Sequence, residues 1–280
     1  MKKPLLMLFA LAPFFTPGTA KALEVAGEAM TSWSGCDCSA GSLKYTDDQI
    51  SYLISEMQDL GHQKKFFYKN TSSYSLDLIE DSLPNGYDAG YADGVDLFAL
   101  SSHGGAPNDS NGKQTFSTPM CKSGSASASS SCHFDANQSR MGEAAGPGQS
   151  QYATPHPGQA RWWVFFTCYS VHTKPNEQWG QTLAHGGDTV LGYRGTSADS
   201  FTTDEVGEDL VDAVFDDGDT LKGGWFWAAE DWAVDDVASM VASGKTRDAA
   251  IYRRDKAVAN WERRGSDSHH GWFAWAWHEG

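Results

Sequence analysis

The sequence predicts an α/β fold with a mostly parallel central sheet flanked by helices, in a single domain that carries a long inserted loop. Three observations predict it. The stretches 96–102 (DLFALSS) and 161–167 (RWWVFFT) are short apolar runs bounded by turn residues, the mark of strands buried on both faces. After the second run, a helical pattern over 176–183 leads into the apolar stretch 189–193, and strand, helix, strand in that order make a right-handed crossover between parallel strands. Helical periodicity at 47–60 and 204–215 supplies layers to cover such a sheet.

Each element follows in order. Residues 1–22 have a basic start (Lys2, Lys3), an apolar stretch over 5–15 and the small-residue ending Ala20-Lys21-Ala22, which reads as a secretory signal peptide cut after Ala22. The protein is therefore expected to be secreted or periplasmic, with residues 23–280 forming the domain. Residues 23–46 read as irregular turns around Trp33-Ser34-Gly35-Cys36-Asp37-Cys38. A helix follows, with Thr46 as N-cap, Asp47 and Asp48 in its positive first turn, and Ile50, Leu53, Ile54, Met57 and Leu60 on one face before Gly61. The run 65–68 is a strand, 76–83 a short helix and 84–86 a turn.

Past the strand at 96–102 lies the long polar insertion, 104–160, with a serine-rich piece at 123–131. Beyond 189–193 an amphipathic helix covers 204–215, a longer helix 221–242, and 249–252 is a late strand. The alternation of Trp272, Ala274 and Ala276 with Phe273, Trp275 and Trp277 ends the chain in an aromatic strand.

Charge excludes some partners. With the leader's three lysines removed, 36 acidic residues face 18 basic ones, and no basic stripe relieves the imbalance. Such a surface repels phosphate backbones and anionic lipid, so neither nucleic acid nor membrane is an expected partner. No segment after the leader approaches the roughly 20 apolar residues that cross a bilayer.

The five cysteines leave one unpaired in an oxidising compartment. Cys36, Cys38, Cys121 and Cys132 lie in Gly-, Ser- and Asp-rich segments where crosslinks are useful, whereas Cys168 ends an apolar run and is the expected free thiol. Cys36 and Cys38 are too close to bridge each other, so each is expected to pair with one of Cys121 and Cys132; a local Cys121–Cys132 bond is the alternative.

His103-Gly104 ends the first apolar run and Cys168 the second, 65 residues later. In an open parallel sheet the carboxyl ends of neighbouring strands are where ligands and catalytic groups gather, and a thiol with a base beside it is the minimal set for covalent acyl transfer. The two blocks, LFALSSHG and WVFFTC, with the continuation GQTLAHGGDTVLGYRGT, resemble the clan CD cysteine peptidases, the superfamily of caspases, gingipains, clostripain and legumain. The resemblance covers roughly residues 47–240 by order of elements. It implies a caspase-like three-layer sandwich and a cysteine endopeptidase acting on a peptide or protein substrate without a cofactor. It makes Cys168 the nucleophile, His103 the acid/base, and the Gly104 and Cys168 amides the oxyanion hole. It also places the pocket for the residue before the scissile bond beside the strand after the cysteine, at Tyr193, Arg194, Ser197 and Asp199. Arg194 there favours an acidic side chain and Asp199 a basic one. The family's small residue before the cysteine and glycine three places after it are Thr167 and Val171 here, so the turn after Cys168 must be built differently.

Two other readings come from the residues. Cys168, His172, His269, His270 and His278 raise the question of zinc, but the paired close spacings of a zinc site are absent and no metal is expected. An acidic, tryptophan-rich, disulfide-stapled exported domain also suits a non-catalytic module that binds glycan or protein. Such a module has no need of a reactive Cys168.

Overall fold

The computed structural model describes residues 22–81, 83, 86–108, 112, 114–122, 132–139, 160–172, 175–184, 187–232, 238–243, 266–267 and 271–277. The leader to residue 21, the serine-rich piece, the 249–252 strand and His269, His270 and His278 lie outside them. In chain order the elements are β1 (Glu24–Ala29), α1 (Thr46–Asp59), β2 (Gln63–Lys69), β3 (Leu97–Ser101), β4 (Ser117–Pro119), β5 (His133–Asp135), β6 (Trp162–Phe166), α2 (Pro175–Ala184), β7 (Thr189–Tyr193), α3 (Val206–Val211), α4 (Leu221–Asp231), β8 (Ala238–Ser243), β9 (Ser266–Asp267) and β10 (Gly271–Trp277).

Eight strands form one mixed sheet in the order β2-β1-β3-β6-β7-β8-β10-β9, and β4 pairs with β5 apart from it. The first five are parallel; β8 runs antiparallel to β7, and β10 to β8. The fold is α/β, as the apolar runs predict. Successive residues of β6 explain the layers. Trp162, Val164 and Phe166 face one side with α1, α3 and α4, while Trp163 and Phe165 face the other with Trp179 and Leu183 of α2 and with Phe116 and Phe134 of the insertion. At the amino-terminal edge the buried Arg161–Asp188 ion pair, 2.6 Å, ties the start of β6 to that of β7.

The order of the parallel strands reverses between β1 and β3, and in doubly wound sheets that switch point opens a crevice at the strands' carboxyl ends. The structure corrects the expectation that 23–46 is wholly irregular, because β1 lies inside it. EVAGEA is poor in β-branched and aromatic residues, yet its small side chains suit a central strand under a closely packed helix. A Cβ on Gly27 would overlap Ile50 of α1.

Two predicted helices also change. Among the described residues the stretch 76–83 gives only a 3-10 turn at Ser75–Asp77: Asp77, Leu78 and Ile79 donate to carbonyls three residues back, and Ser75 and Glu80 on either side donate to the Cys121 and Gln138 carbonyls. The long helix predicted over 221–242 stops at Asp231, and Ala238–Ser243 joins the sheet against β7 instead. An edge needing a partner outweighs helical periodicity.

Beneath the 3-10 turn, Glu28 of β1 is fully buried beside Asp77. Burial first, then the neighbouring Asp77, raises the Glu28 carboxyl well above its usual range; burial raises Asp77 to about 6, partly offset by its bond to Glu28. The folded state thus holds more protons than the unfolded chain between 3.8 and about 6, so this pair's stability contribution, complete at low pH, is lost as pH rises through that window. The melting temperature is expected to fall from pH 4 to pH 6.5, and to fall less steeply in Asp77→Asn. Equal slopes would show that the pair does not titrate there.

Candidate active site

The register of β3 and β6 builds the site. Leu97 lies opposite Trp162 and Ser101 opposite Phe166, so the chain leaves both strands level. Two residues further on stand His103 and Cys168, side by side on the carboxyl edge of the sheet. Gly104 fits tightly there, since a Cβ would overlap the Cys168 carbonyl oxygen and the Thr167 methyl. The His-Gly block and the cysteine turn therefore pack backbone to backbone.

His103 is held from the β1 side. Its ring stacks on Trp33 with centroids 5.2 Å apart, and Nε2 lies 2.8 Å from the Gly41 carbonyl. A carbonyl only accepts, which assigns the hydrogen to Nε2 and leaves the lone pair of the neutral ring on Nδ1. The Thr118 hydroxyl donates to the His103 carbonyl at 2.7 Å, so β4 fixes the backbone as well. Cys168 is a free, partly exposed thiol whose sulfur faces the β7 side. The Ser197 amide donates to Sγ at 3.3 Å, and the Ser197 hydroxyl lies 3.6 Å away. His103 and Cys168 make no hydrogen bond to each other among the described residues. The ring is held on the β1 side of this edge and the sulfur on its β7 side.

The turn after Cys168 is built with Val171, not glycine, three places on. Tyr169 adopts a left-handed φ of 58°, costly for an aromatic residue, and its amide donates to the Gly195 carbonyl at 2.8 Å. Next, the buried Ser170 hydroxyl donates to the Thr167 carbonyl at 2.7 Å and accepts the Tyr193 amide at 3.0 Å, while Trp179 of α2 donates to the Ser170 carbonyl at 2.7 Å. Nearby groups thus over-determine a strained backbone beside the thiol.

Disulfides hold the wall that carries Trp33 and Gly41. Cys36 pairs with Cys121 and Cys38 with Cys132, with Cα atoms 4.8 and 5.8 Å apart, so the tethering version of the expected pairing holds and the local bond is absent. The bonds interlace. With either in place, the other closes a loop of only about 13 residues, so removing one costs about 3 kcal/mol rather than the larger figure for a loop near 90 residues. Cys38→Ser with Cys132→Ser is expected to lose that amount in denaturant unfolding. A loss under about 1 kcal/mol would mean that the loop is held by its packing alone.

The residues expected to choose a substrate divide. Tyr193 is 1 % exposed and packs on Trp225, which corrects the expectation that it lines a pocket; burial, then the nearby Cys168, pushes its phenol above the ordinary range. Asp199 is exposed but accepts the Lys44 and Tyr45 amides at 2.7 and 2.9 Å, tying the loop after β7 to the start of α1. Arg194 is half-buried at the end of β7. Ser197 reaches the sulfur. Burial lowers the pKa of His172, whose ring tilts against Tyr169, and it joins no metal-ligating group with Cys168 among the described residues. Sequence reasoning missed Trp33 and Gly41, because they lie in a segment read as turns. Cys36 and Cys38 between them were the signal that this segment is pinned against something.

Fold and site together define an α/β protein with a histidine and a free cysteine at the carboxyl ends of two neighbouring parallel strands. The DUF6345 family, described as a domain of unknown function, matches residues 28–277, and the chain belongs to that family. No curated protein matches it. The match runs from the end of β1 through β10 and takes in both disulfides and the site residues.

Proposed function

We propose that the chain is an exported cysteine peptidase-like hydrolase of caspase-like architecture that cleaves peptide bonds with Cys168 and His103. One observation carries this reading. Parallel, level pairing of β3 and β6 sets the only free cysteine among the described residues and an oriented histidine on one edge, with Gly104 against the Cys168 carbonyl. Two disulfides suit the oxidising compartment to which the basic-apolar leader points, and no described helix is long and apolar enough to cross a membrane.

In this mechanism the sulfur, having lost its proton, attacks the substrate carbonyl carbon, and charge passes to the carbonyl oxygen, stabilised by the Gly104 and Cys168 amides. Collapse breaks the C–N bond as imidazolium His103 gives its proton to the leaving amine. Water then adds to the thioester, delivering a proton to His103, and the acid departs as sulfur leaves. The Gly41 carbonyl keeps Nε2–H fixed throughout, so Nδ1 is the atom that takes and gives the proton. Substrate fills the space between thiol and ring.

A peptide library with basic, acidic and small residues before the scissile bond tests this, with cleavage expected for one class. The rival reading, a module that binds glycan or protein, draws on the exposed Trp227 and Phe201. It expects binding without cleavage.

A further inference from the structure

We propose that the carboxylates of Glu80, Asp81 and Asp88 form a calcium site that braces the crossover between β2 and β3. One oxygen from each lies within 4.8 Å of the others. Glu80 and Asp88 are each 2 % exposed, while Asp81 reaches solvent. Asp88 divides its carboxylate: Oδ1 accepts the Asp81 amide at 3.0 Å, and Oδ2 is buried with no hydrogen-bond partner. A buried oxygen without a donor is costly, and a small divalent cation satisfies it together with its two anionic neighbours.

Ligand type and backbone favour calcium. Carboxylates on irregular turns suit its flexible shell of about six to eight oxygens, whereas magnesium requires a near-ideal octahedron and gives up its waters reluctantly. Asp81 on the solvent side leaves room for the waters that complete a calcium shell.

The position gives the ion a task. Among the described residues, the chain between β2 and β3 crosses without an α-helix, through 3-10 turns at Asn70–Ser72, Ser75–Asp77 and Asp88–Gly90. Its ligands sit on backbone already fixed: the Asp88 amide donates to the Ile79 carbonyl, and the Asp88 carbonyl accepts from Tyr91 and Asp93. Binding there stiffens the segment that feeds β3 and, through it, His103. A search for zinc spacings overlooks this set because its ligands are carboxylates from two turns eight residues apart.

Titrating calcium chloride into the metal-free mature protein tests the site by calorimetry and melting temperature. A single site with Kd of roughly 10⁻⁴–10⁻³ M, as in extracellular calcium modules, raises the melting temperature by about 3–10 °C at 10 mM calcium, and magnesium gives well under half of that. Asp88→Asn, which keeps the oxygen that accepts the Asp81 amide, removes the calcium-specific shift. Asp81→Asn alters an exposed side chain, spares the fold and weakens binding about tenfold or more. Exchanging the exposed Asp216 and Asp217 for Asn leaves the shift in place. The proposal is overturned if the wild type gives no calcium heat and no shift. It is equally overturned if magnesium matches calcium and the shift survives both Asp88→Asn and Asp81→Asn, since that is diffuse screening of an acidic surface.

Discussion

Cys168→Ala is expected to abolish peptide hydrolysis in a protein that still folds. The substitution removes one sulfur from a partly exposed side chain whose polar contacts all go to Ser197, and the Ser197 groups can turn to water instead. The turn itself does not depend on the thiol, because Ser170, Trp179 and the Tyr169 amide hold it. Stability should therefore change by less than about 1 kcal/mol, a few degrees in melting temperature. The rate should fall at least about 10⁴-fold, since loss of the nucleophile removes the acyl intermediate and the cycle as a unit. Initial rates on the best library peptide, with near-ultraviolet circular dichroism as the check on folding, measure both. Cleavage surviving in the variant would belong to another residue.

His103→Ala is expected to lower the rate by roughly 10²–10⁴ without ending it, because general acid/base help is lost while the nucleophile and amide donors stay. The ring contributes little to the core; it stacks on Trp33 and meets Gly41 at the surface of the crevice. The pH profile should change too. A profile unchanged in shape and height would remove His103 from the mechanism.

The two strands that carry these residues were legible because a strand buried on both faces writes an unbroken apolar run, and DLFALSS and WVFFT are such runs. Helix α1 was legible from the period of Ile50, Leu53, Ile54 and Met57, all buried as that period requires. Strand β1 was not, because its Ala and Gly residues owe their place to the helix lying over them rather than to local preference. The short helix at 76–83 failed for a related reason: the Ser75 and Glu80 amides that bracket its first turn are claimed by Cys121 and Gln138, more than forty positions away. At the site, chain order and strand ends gave His103, Gly104 and Cys168. Trp33 and Gly41 reach the site only through the sheet order and the disulfides, which no spacing records. Tyr193 points the wrong way for a simple reason: a residue inside β7 faces one side of the sheet, and that side is core.

Covalent trapping tests the central claim most directly. Native mature protein is incubated near pH 6 with acyloxymethyl ketone peptides carrying basic, acidic or small residues before the reactive group, and adducts are weighed and mapped by mass spectrometry. One adduct per chain, on Cys168, absent from Cys168→Ala and slowed in His103→Ala, is the predicted result. A native protein that takes no adduct from any of the three, and whose Cys168 is alkylated by iodoacetamide only after denaturation, would contradict it.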